Sequence, residues 1–204
     1  RSSLSEIFKN KDINYIFHLG AQSYPKTSFT NEVETYDSNI IGTQNVLDCA
    51  REYSPLAKIH NCSSSEVFGR VTSDKLPIDE ECTFHPASPY AISKVGTDLI
   101  GRYYAEAFNM SVYTTRMFTH TGPRRGDVFA ESTFAKQIAL AEEGLIEPII
   151  KVGNLDSQRT WADVRDAIRA YHILLTSNNI ENGAYFNIGG NTIKTIREML
   201  DFLI

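Results

Sequence analysis

Short apolar runs alternate along this chain with longer stretches in which apolar residues recur at helical spacing. Runs rich in β-branched and aromatic residues predict strands at 14–19, 58–62, 111–118, 148–152 and 185–188. Helical periodicity predicts helices at 1–11, 31–53, 90–108, 134–143 and 163–177, with a last helix capped by Thr192. Strands that alternate with helices of this length indicate a parallel sheet covered on both faces.

Composition narrows the class of protein. The chain has 204 residues, enough for one well-packed domain, and is 42% hydrophobic and 22% charged. Its net charge of −5, with no basic block, argues against a nucleic-acid partner, because phosphate neutralisation needs clustered Lys and Arg. No apolar run approaches the roughly 20 residues of a membrane helix. The three cysteines lack C-x-x-C spacing and follow no secretory leader, so we expect reduced thiols in a cytoplasmic protein.

A tyrosine and a lysine open the helix at 90–108. Ser88 can cap this helix, and Pro89 suits its first turn. Tyr90 and Lys94 are four residues apart, which places the phenol and the ammonium on one face. A nearby Lys⁺ lowers the pKa of a phenol from about 10 toward working pH, so Tyr90 can serve as a general acid or base. The alternative at this point is a solvated lysine beside an aromatic residue at the edge of the core.

Polar residues follow several predicted strands. The small-residue turn Gly20–Ser23 suits either close approach of a ligand to the backbone or tight packing. The segment Ser63–Gly69 holds three hydroxyls and the Glu66 carboxylate, which need backbone or ligand partners. A loop at 119–127 carries a histidine and paired arginines, a composition that suits phosphate recognition as well as plain exposure to solvent.

Five segments in order give the chain a family resemblance: FHLGAQS at 17–23, SSSEVFG at 63–69, SPYAISK at 88–94, GPRRGDVF at 122–129 and VGNLDSQRTW at 152–161. Together they resemble the extended short-chain dehydrogenase/reductase family that modifies nucleotide-activated sugars. Within that family the chain is most similar to GDP-mannose 4,6-dehydratases and to GDP-4-keto-6-deoxymannose reductases. The resemblance covers essentially the whole chain.

The resemblance implies a Rossmann-like, doubly wound parallel sheet of the α/β class. It also implies two regions, a dinucleotide-binding portion at 1–118 and a mixed region at 119–204 that completes the sheet and forms part of a small C-terminal substrate-binding region. The glycine-rich pattern that cradles the pyrophosphate is absent from the sequence. We therefore expect an internal piece of a longer enzyme, without the N-terminal glycine-rich βαβ unit.

The resemblance also implies roles for particular residues. Tyr90 is the acid/base at the sugar 4-hydroxyl, and Lys94 holds the nicotinamide ribose and lowers the pKa of that tyrosine. Ser64 hydrogen-bonds the same sugar oxygen, and a buried Glu66 carboxylate abstracts the C5 proton. Further cofactor contacts are expected at Leu19, Ala21, Gln22, Ser23, His120 and Arg125. Substrate contacts are expected at Ser65, Arg124, Asn154 and Arg159, and no metal is required.

Three positions depart from the family pattern. Ser64 stands where Thr is common, Thr119 replaces the asparagine usual before the histidine, and Thr160 replaces the aspartate usual before the tryptophan. Ser64 keeps the hydroxyl, whereas the changes at Thr119 and Thr160 alter groups expected near the sugar and the diphosphate.

The implied activity is NADP-dependent dehydration of a nucleotide-diphosphate sugar, with NAD as the other possible cofactor. A homodimer is implied through the helices at 31–53 and 90–108, with Ile100, Tyr103, Tyr104 and Phe108 as candidate contacts. The segments 134–138 and 147–152 look more like the 4-reductase, whereas Arg124–Arg125 and Arg159–Trp161 favour the dehydratase, which we place first. A nucleotide-sugar epimerase, or a non-catalytic binding or dimerisation module of the same fold, is the remaining alternative.

Overall fold

The computed structural model describes residues 1–204, which form two compact units. The first unit is Arg1–Met117 with Arg169–Ile188, and the second is Phe118–Ile168 with Gly189–Ile204. The strands are β1 (Tyr15–His18), β2 (Lys58–Cys62), β3 (Val112–Met117), β4 (His120–Thr121), β5 (Gln158–Asp163), β6 (Tyr185–Ile188) and β7 (Thr192–Thr195). The α-helices are α1 (Ser2–Lys9), α2 (Pro25–Ser28), α3 (Glu32–Tyr36), α4 (Gly42–Tyr53), α5 (Pro89–Phe108), α6 (Ala130–Glu142), α7 (Val164–Thr176) and α8 (Ile196–Leu203).

A four-stranded parallel sheet forms the centre of the first unit. Its order is β1-β2-β3-β6, and Ile59 of β2 lies opposite Val112 of β3. Every residue of β3 is buried, as expected for a parallel strand covered on both faces. Leu47 of α4 and Tyr104 of α5 join Ile59 and Val112 in the hydrophobic core. The predicted parallel α/β sheet is therefore confirmed. None of the helices has the length and apolar character needed to cross a membrane.

The long helix predicted at 31–53 contains a wider turn. Between α3 and α4 the residues Asp37–Ile41 form a π-helical turn, in which Asn39 is buried. A π turn rotates the following residues relative to an ordinary α-helix, and such turns often occur at functional sites. Apolar periodicity did not reveal this change, because the apolar residues on either side keep helical spacing.

The helix that carries Tyr90 begins as predicted. The Ser88 hydroxyl accepts a hydrogen bond from the Ala91 amide at 3.0 Å, and Pro89 occupies the first turn. The helix ends at Asn109, which adopts the left-handed conformation. In its middle, Gly101 allows close packing on the sheet, because a Cβ there would lie 2.3 Å from Asn61 Nδ2. This contact fixes the depth at which α5 lies over β2.

The second unit contains a small mixed sheet. Strand β5 pairs in parallel with β4 and in antiparallel fashion with β7. The sequence predicted neither β5 nor β7. Thr192 begins strand β7 rather than capping a helix, and the cap of α8 is Thr195, in a reciprocal capping box with Glu198.

The predicted strand at 148–152 is wrong. This segment has no regular secondary structure, and Ile149 and Val152 are exposed. Its backbone hydrogen bonds at Lys151 go to the side-chain amide of Gln137 on α6, at 2.7 and 3.3 Å, instead of to a neighbouring strand. The apolar run at 148–152 has the composition of a strand, but no neighbouring strand pairs with it. Helix α6 also begins four residues before the predicted start at 134.

Candidate active site

Strand β2 ends in a turn that presents Ser64 and Glu66. Ser64 has extended backbone dihedrals and caps the 3-10 turn Ser65–Phe68, and its hydroxyl accepts a hydrogen bond from the Glu66 amide at 3.2 Å. Gly69 ends the turn with φ +56°, and a Cβ there would lie 1.7 Å from the His85 carbonyl oxygen. Only glycine combines this conformation with this close approach. The predicted polar cluster is therefore built around one capped turn.

Tyr90 lies beside this turn in the first turn of α5. Its side chain is buried, and its backbone amide donates to Ser28 Oγ at 3.0 Å. Burial raises the pKa of Tyr90 to about 12, a hydrogen bond with the Ser64 side chain opposes that shift, and the Glu66 charge adds to it. Ser64, Glu66 and Tyr90 therefore come together. The expected lowering of the Tyr90 pKa is not found, because burial outweighs every opposing interaction.

Lys94 is a buried cation with few partners. It is 5% exposed, and its ammonium donates to the Cys62 carbonyl oxygen at 2.8 Å. Nζ lies 6.0 Å from the centroid of the Tyr90 ring. Burial lowers the pKa of Lys94. Since an ammonium has three N–H donors, Lys94 retains donors for the acceptors of a ligand.

Glu66 differs in one respect from the sequence-based expectation. We expected a buried carboxylate, but Glu66 is exposed, and the neighbouring Ser65 is half-buried. The reason is its position early in the 3-10 turn, beyond the last residue of β2, where the sheet no longer covers it. The carboxylate remains near the Tyr90 phenol, whose pKa it raises. The two groups can therefore act on neighbouring atoms of one ligand.

The turn after β1 holds four of the predicted cofactor contacts. Leu19 and Ser23 are exposed, whereas Ala21 and Gln22 are half-buried. Gln22 is fixed by Asn39, whose Oδ1 accepts from the Gln22 amide at 2.7 Å and whose Nδ2 donates to the Gln22 carbonyl at 2.9 Å.

Asn39 also ties this turn to the helix of Tyr90. Its Nδ2 donates to Ser93 Oγ at 2.8 Å, and Ser93 Oγ donates to the Tyr90 carbonyl at 2.7 Å. Sequence reasoning missed Asn39, and the available signal was one polar residue on the apolar face of a helix.

Two histidines near Lys94, the half-buried His18 and the buried His60, were also missed. His18 is hydrogen-bonded to Thr43 Oγ1 at 3.0 Å, and burial, with Lys94 second, lowers the pKa of His18 to about 4. His60 is hydrogen-bonded to Thr115 Oγ1 at 2.8 Å and stacks on Tyr171 with ring centroids 4.0 Å apart. Burial, followed by His18 and Lys94, lowers the pKa of His60 to about 3. Both imidazoles are therefore neutral at pH 7 and add no charge beside Lys94.

Of the predicted residues in the second unit, His120 and Arg125 are half-buried. Arg125 Nε lies 3.0 Å from Glu131 Oε1, and its NH1 donates to the His120 carbonyl oxygen at 2.8 Å. The guanidinium also lies 4.0 Å from the centroid of the Phe129 ring. Arg125 is therefore engaged by its own unit.

Three predicted substrate contacts in the second unit lie on its surface. Arg124, Asn154 and Arg159 are exposed. Arg124 has φ +72°, an uncommon conformation for a residue other than glycine. Arg159 donates to the Gln158 carbonyl oxygen at 2.8 Å and has no carboxylate partner. Both guanidinium groups can therefore accept an anionic ligand without breaking an ion pair.

Comparison with known proteins gives the chain relatives along nearly its entire length. A family model described as GDP-mannose 4,6 dehydratase matches residues 1–203. The GDP-6-deoxy-D-mannose reductase of Pseudomonas aeruginosa is 32% identical over 188 residues, which are 92% of this chain and 61% of the relative. The human GDP-mannose 4,6 dehydratase is 30% identical over 188 residues, 91% of this chain and 49% of the relative. The chain thus spans about half to three fifths of the length of these curated relatives.

Solved structures show the same arrangement of the backbone. RMD from Pseudomonas aeruginosa, complexed with NADPH, superposes with a TM-score of 0.87 at 32% identity, over 92% of this chain and 63% of that protein. A dTDP-glucose 4,6-dehydratase from Bacillus anthracis, in complex with NAD, has a TM-score of 0.84 at 27% identity, over 100% of this chain and 60% of that one.

Proposed function

This chain belongs to the GDP-mannose 4,6-dehydratase family, and from that premise we propose that the complete protein converts GDP-mannose into GDP-4-keto-6-deoxymannose and water. One observation carries the proposal. The Glu66 carboxylate lies at the end of β2 beside a tyrosine phenol that is hydrogen-bonded to Ser64. Elimination of water needs a base for C5, and the nearness of Glu66 to a group that can exchange a proton with the 4-hydroxyl supports this role for Glu66.

Tyr90 and Ser64 are the residues that act on the sugar 4-oxygen. A phenol with a pKa of about 12 carries its proton at neutral pH, so Tyr90 binds that oxygen as a hydrogen-bond donor. To accept the proton of the 4-hydroxyl, Tyr90 must first lose its own proton to solvent, and positive charge nearby favours the resulting phenolate. The Lys94 ammonium lies 6.0 Å from the centroid of the Tyr90 ring. Ser64 orients the phenol through their shared hydrogen bond.

Glu66 is the base for water elimination. Its exposed carboxylate takes the C5 proton and then gives it to the C6 hydroxyl, which leaves as water, so the sugar loses one hydrogen and one hydroxyl and Glu66 ends as a carboxylate again. Exposure of Glu66 leaves it free to reach a substrate that lies over the end of β2.

The residues present fit a nicotinamide dinucleotide. Lys94 retains N–H donors, and Gly20, which follows β1, is exposed to solvent, so a ligand can approach the backbone there. Leu19, Ala21, Gln22, Ser23 and Lys94 would hold the cofactor. The chemistry that the bound nicotinamide would supply is reversible hydride transfer with C4 and C6 of the sugar. NADP is favoured by the NADPH complex of RMD, and the NAD complex of the dTDP-glucose dehydratase supports the alternative.

Further contacts and assembly are part of the proposal. We assign His120 and Arg125 to the cofactor and Ser65, Arg124, Asn154 and Arg159 to the nucleotide sugar. A homodimer is supported by the exposed Tyr103 and Phe108 of α5. Tyr104 is instead buried, and its hydroxyl donates to Asp48 of the same chain at 2.7 Å.

The test is incubation of the complete protein with GDP-mannose. We expect a 4-keto-6-deoxy product with no net consumption of NADPH. A Glu66→Gln variant should stop water elimination but still exchange hydride at C4, which deuterium at C4 of the substrate reports. Glu106→Gln, an exposed carboxylate on α5, is the matched control. Formation of the normal product by Glu66→Gln would show that its role is assigned wrongly.

A second candidate is the 4-reductase, which the 32% identity to the Pseudomonas aeruginosa reductase favours. Oxidation of NADPH on the 4-keto sugar, combined with inactivity toward GDP-mannose, would establish that function instead.

A further inference from the structure

Arg116 is a buried cation in the centre of the sheet that the proposed chemistry does not use. It is 1% exposed, on β3. We propose that Arg116 is a positioning residue that holds the Glu66 turn and the Tyr90 helix in fixed relation to each other. The inference rests on the proposed function for the roles of Glu66 and Tyr90, whereas the contacts that carry it come from the structure alone.

The first contact joins Arg116 to the helix of Tyr90. Arg116 Nε donates to Asp98 Oδ2 at 2.8 Å, and NH2 donates to Asp98 Oδ1 at 3.1 Å. Asp98 is fully buried and lies on α5 one turn beyond Lys94 and two turns beyond Tyr90. A two-point bond between a planar guanidinium and a carboxylate fixes orientation as well as distance. Through it, β3 sets the position of α5 along and around its axis.

The second contact joins Arg116 to the turn of Glu66. The guanidinium carbon lies 5.6 Å from the centroid of the Phe68 ring, and Phe68 is the buried last residue of that 3-10 turn, two positions after Glu66. The same guanidinium lies 4.8 Å from the ring of Phe84, which contacts Phe68 edge-on at 6.0 Å. Cation–π contacts of this kind are stronger when they are removed from water.

The third contact joins Arg116 to the segment between these elements. NH1 donates to the Glu80 carbonyl oxygen at 2.8 Å. The Glu80 carboxylate in turn accepts from the Asn187 amide of β6 at 2.8 Å, and the Tyr185 hydroxyl donates to Glu81 at 3.0 Å. The connection from Gly69 to Ser88 contains one short 3-10 turn and no strand. Arg116 therefore anchors a loop that has little regular structure of its own.

One side chain thus contacts the Tyr90 helix, the Glu66 turn and the loop between them. Lysine at this position would keep a positive charge near Asp98, but as a point charge it cannot reproduce the fork, the Glu80 bond and the stacking at once. Because proton transfer depends on placement to within about 1 Å, loosening these contacts should affect catalysis more than substrate binding.

The test compares Arg116→Lys with Leu47→Ala in the complete protein. We expect Arg116→Lys to lower kcat for GDP-mannose by on the order of 10- to 100-fold while KM changes by less than about 3-fold. The variant should also release keto sugar that still carries its C6 hydroxyl. The reason is that Glu66 is no longer held at the correct distance from Tyr90 to remove the C5 proton after C4 is oxidised. Leu47→Ala weakens the core of the same unit without touching Arg116, and it should leave kcat per folded molecule unchanged. Equal losses in the two variants would reduce Arg116 to a stabilising residue and overturn the proposal.

A measurement without turnover separates this inference from the proposed function. Amide hydrogen exchange in Arg116→Lys should accelerate at Val67, Gly69 and His85, which bond within and across the Glu66 turn, and at Ile92 in the first turn of α5. Acceleration at both places supports the positioning role even if the wild-type protein does not act on GDP-mannose. Unchanged exchange at either place overturns it, whatever the activity of the wild type.

Discussion

Two buried cations lie within the same layers of the first unit, and their surroundings differ sharply. Arg116 on β3 has a carboxylate, a backbone carbonyl and three aromatic rings around its guanidinium. Lys94 on α5 is nearly as buried, but it donates to one backbone carbonyl oxygen and has no carboxylate partner. The protein pairs Arg116 with a carboxylate and gives it three hydrogen bonds, whereas it gives Lys94 one hydrogen bond and no opposite charge.

The difference indicates two uses of a buried charge. Removing a charge from water is unfavourable unless its interactions are replaced, so Arg116, which is paired with the Asp98 carboxylate, fixes the fold around it. The incompletely bonded Lys94 keeps a free-energy cost that a ligand can offset, and its lowered pKa reflects that cost. Such groups are common where a site sacrifices stability for function.

The largest expected effect is a loss of turnover when Tyr90, the proposed acid/base near Lys94, is changed. Tyr90→Phe keeps the buried ring but removes the group that exchanges the proton, so kcat should fall by on the order of 10⁴-fold. The midpoint of urea unfolding should change little, because the ring contacts remain. Near-normal turnover of Tyr90→Phe would show that the groups around Lys94 do not carry out the proposed proton transfer.

The next effect is on stability in the Arg116 region. Arg116→Met leaves the Asp98 carboxylate buried without its partner and should lower the free energy of unfolding by about 3–5 kcal/mol in urea titrations. The paired variant Arg116→Met with Asp98→Leu should recover at least half of that loss, since no lone charge remains. A single variant as stable as the wild type would contradict the structural role of the pair.

Acid should lower the free energy of unfolding through His18 and His60, the two histidines near Lys94. The folded pKa values of His18 and His60, about 4 and about 3, lie below the value of 6.5 expected for the unfolded chain. The unfolded state therefore binds more protons below pH 6.5. The contribution of these histidines is complete above pH 6.5 and is lost as the pH falls toward 4 for His18 and toward 3 for His60.

At pH 5 this loss should reach about 2 kcal/mol for each histidine, measured by urea unfolding at a series of pH values. His60→Gln should remove about half of the dependence. An identical pH profile for the variant would show that His60 does not contribute to it.

The smallest expected change in stability is that of a Lys94 variant, and it tests most directly whether Lys94 and Arg116 have different roles. Lys94→Met removes a buried ammonium that has one protein partner, and the free energy of unfolding should stay within about 1 kcal/mol of the wild type or rise. Binding of NADP(H), followed by fluorescence, should nevertheless be lost. A strong destabilisation, like that of Arg116→Met, would show that the two cations are structurally equivalent.

Local patterns predicted most of the first unit correctly. Ser88 and Pro89 marked the start of α5, and apolar runs marked β1, β2, β3 and β6, because these signals depend on neighbours in the chain. The π turn around Asn39 escaped detection because it preserves the apolar spacing on both sides. In the second unit, β5 and β7 have few buried residues, so their pairing left little trace in the pattern of apolar positions.

The sequence by itself determined the parallel α/β class, the capped helix of Tyr90 and the residues Ser64, Glu66 and Lys94 that resemblance placed at the site. Only the tertiary structure decided the burial of these groups and the direction of the Tyr90 and Lys94 pKa shifts. Burial against distant segments raises the pKa of Tyr90 and lowers that of Lys94, whereas Glu66 lies open to solvent. The partners of Arg116 come from α5, from the Glu66 turn and loop, and from β6, and no local pattern reports them. The pKa and the exposure of a side chain depend on its neighbours in space, and most of these neighbours are distant in the sequence.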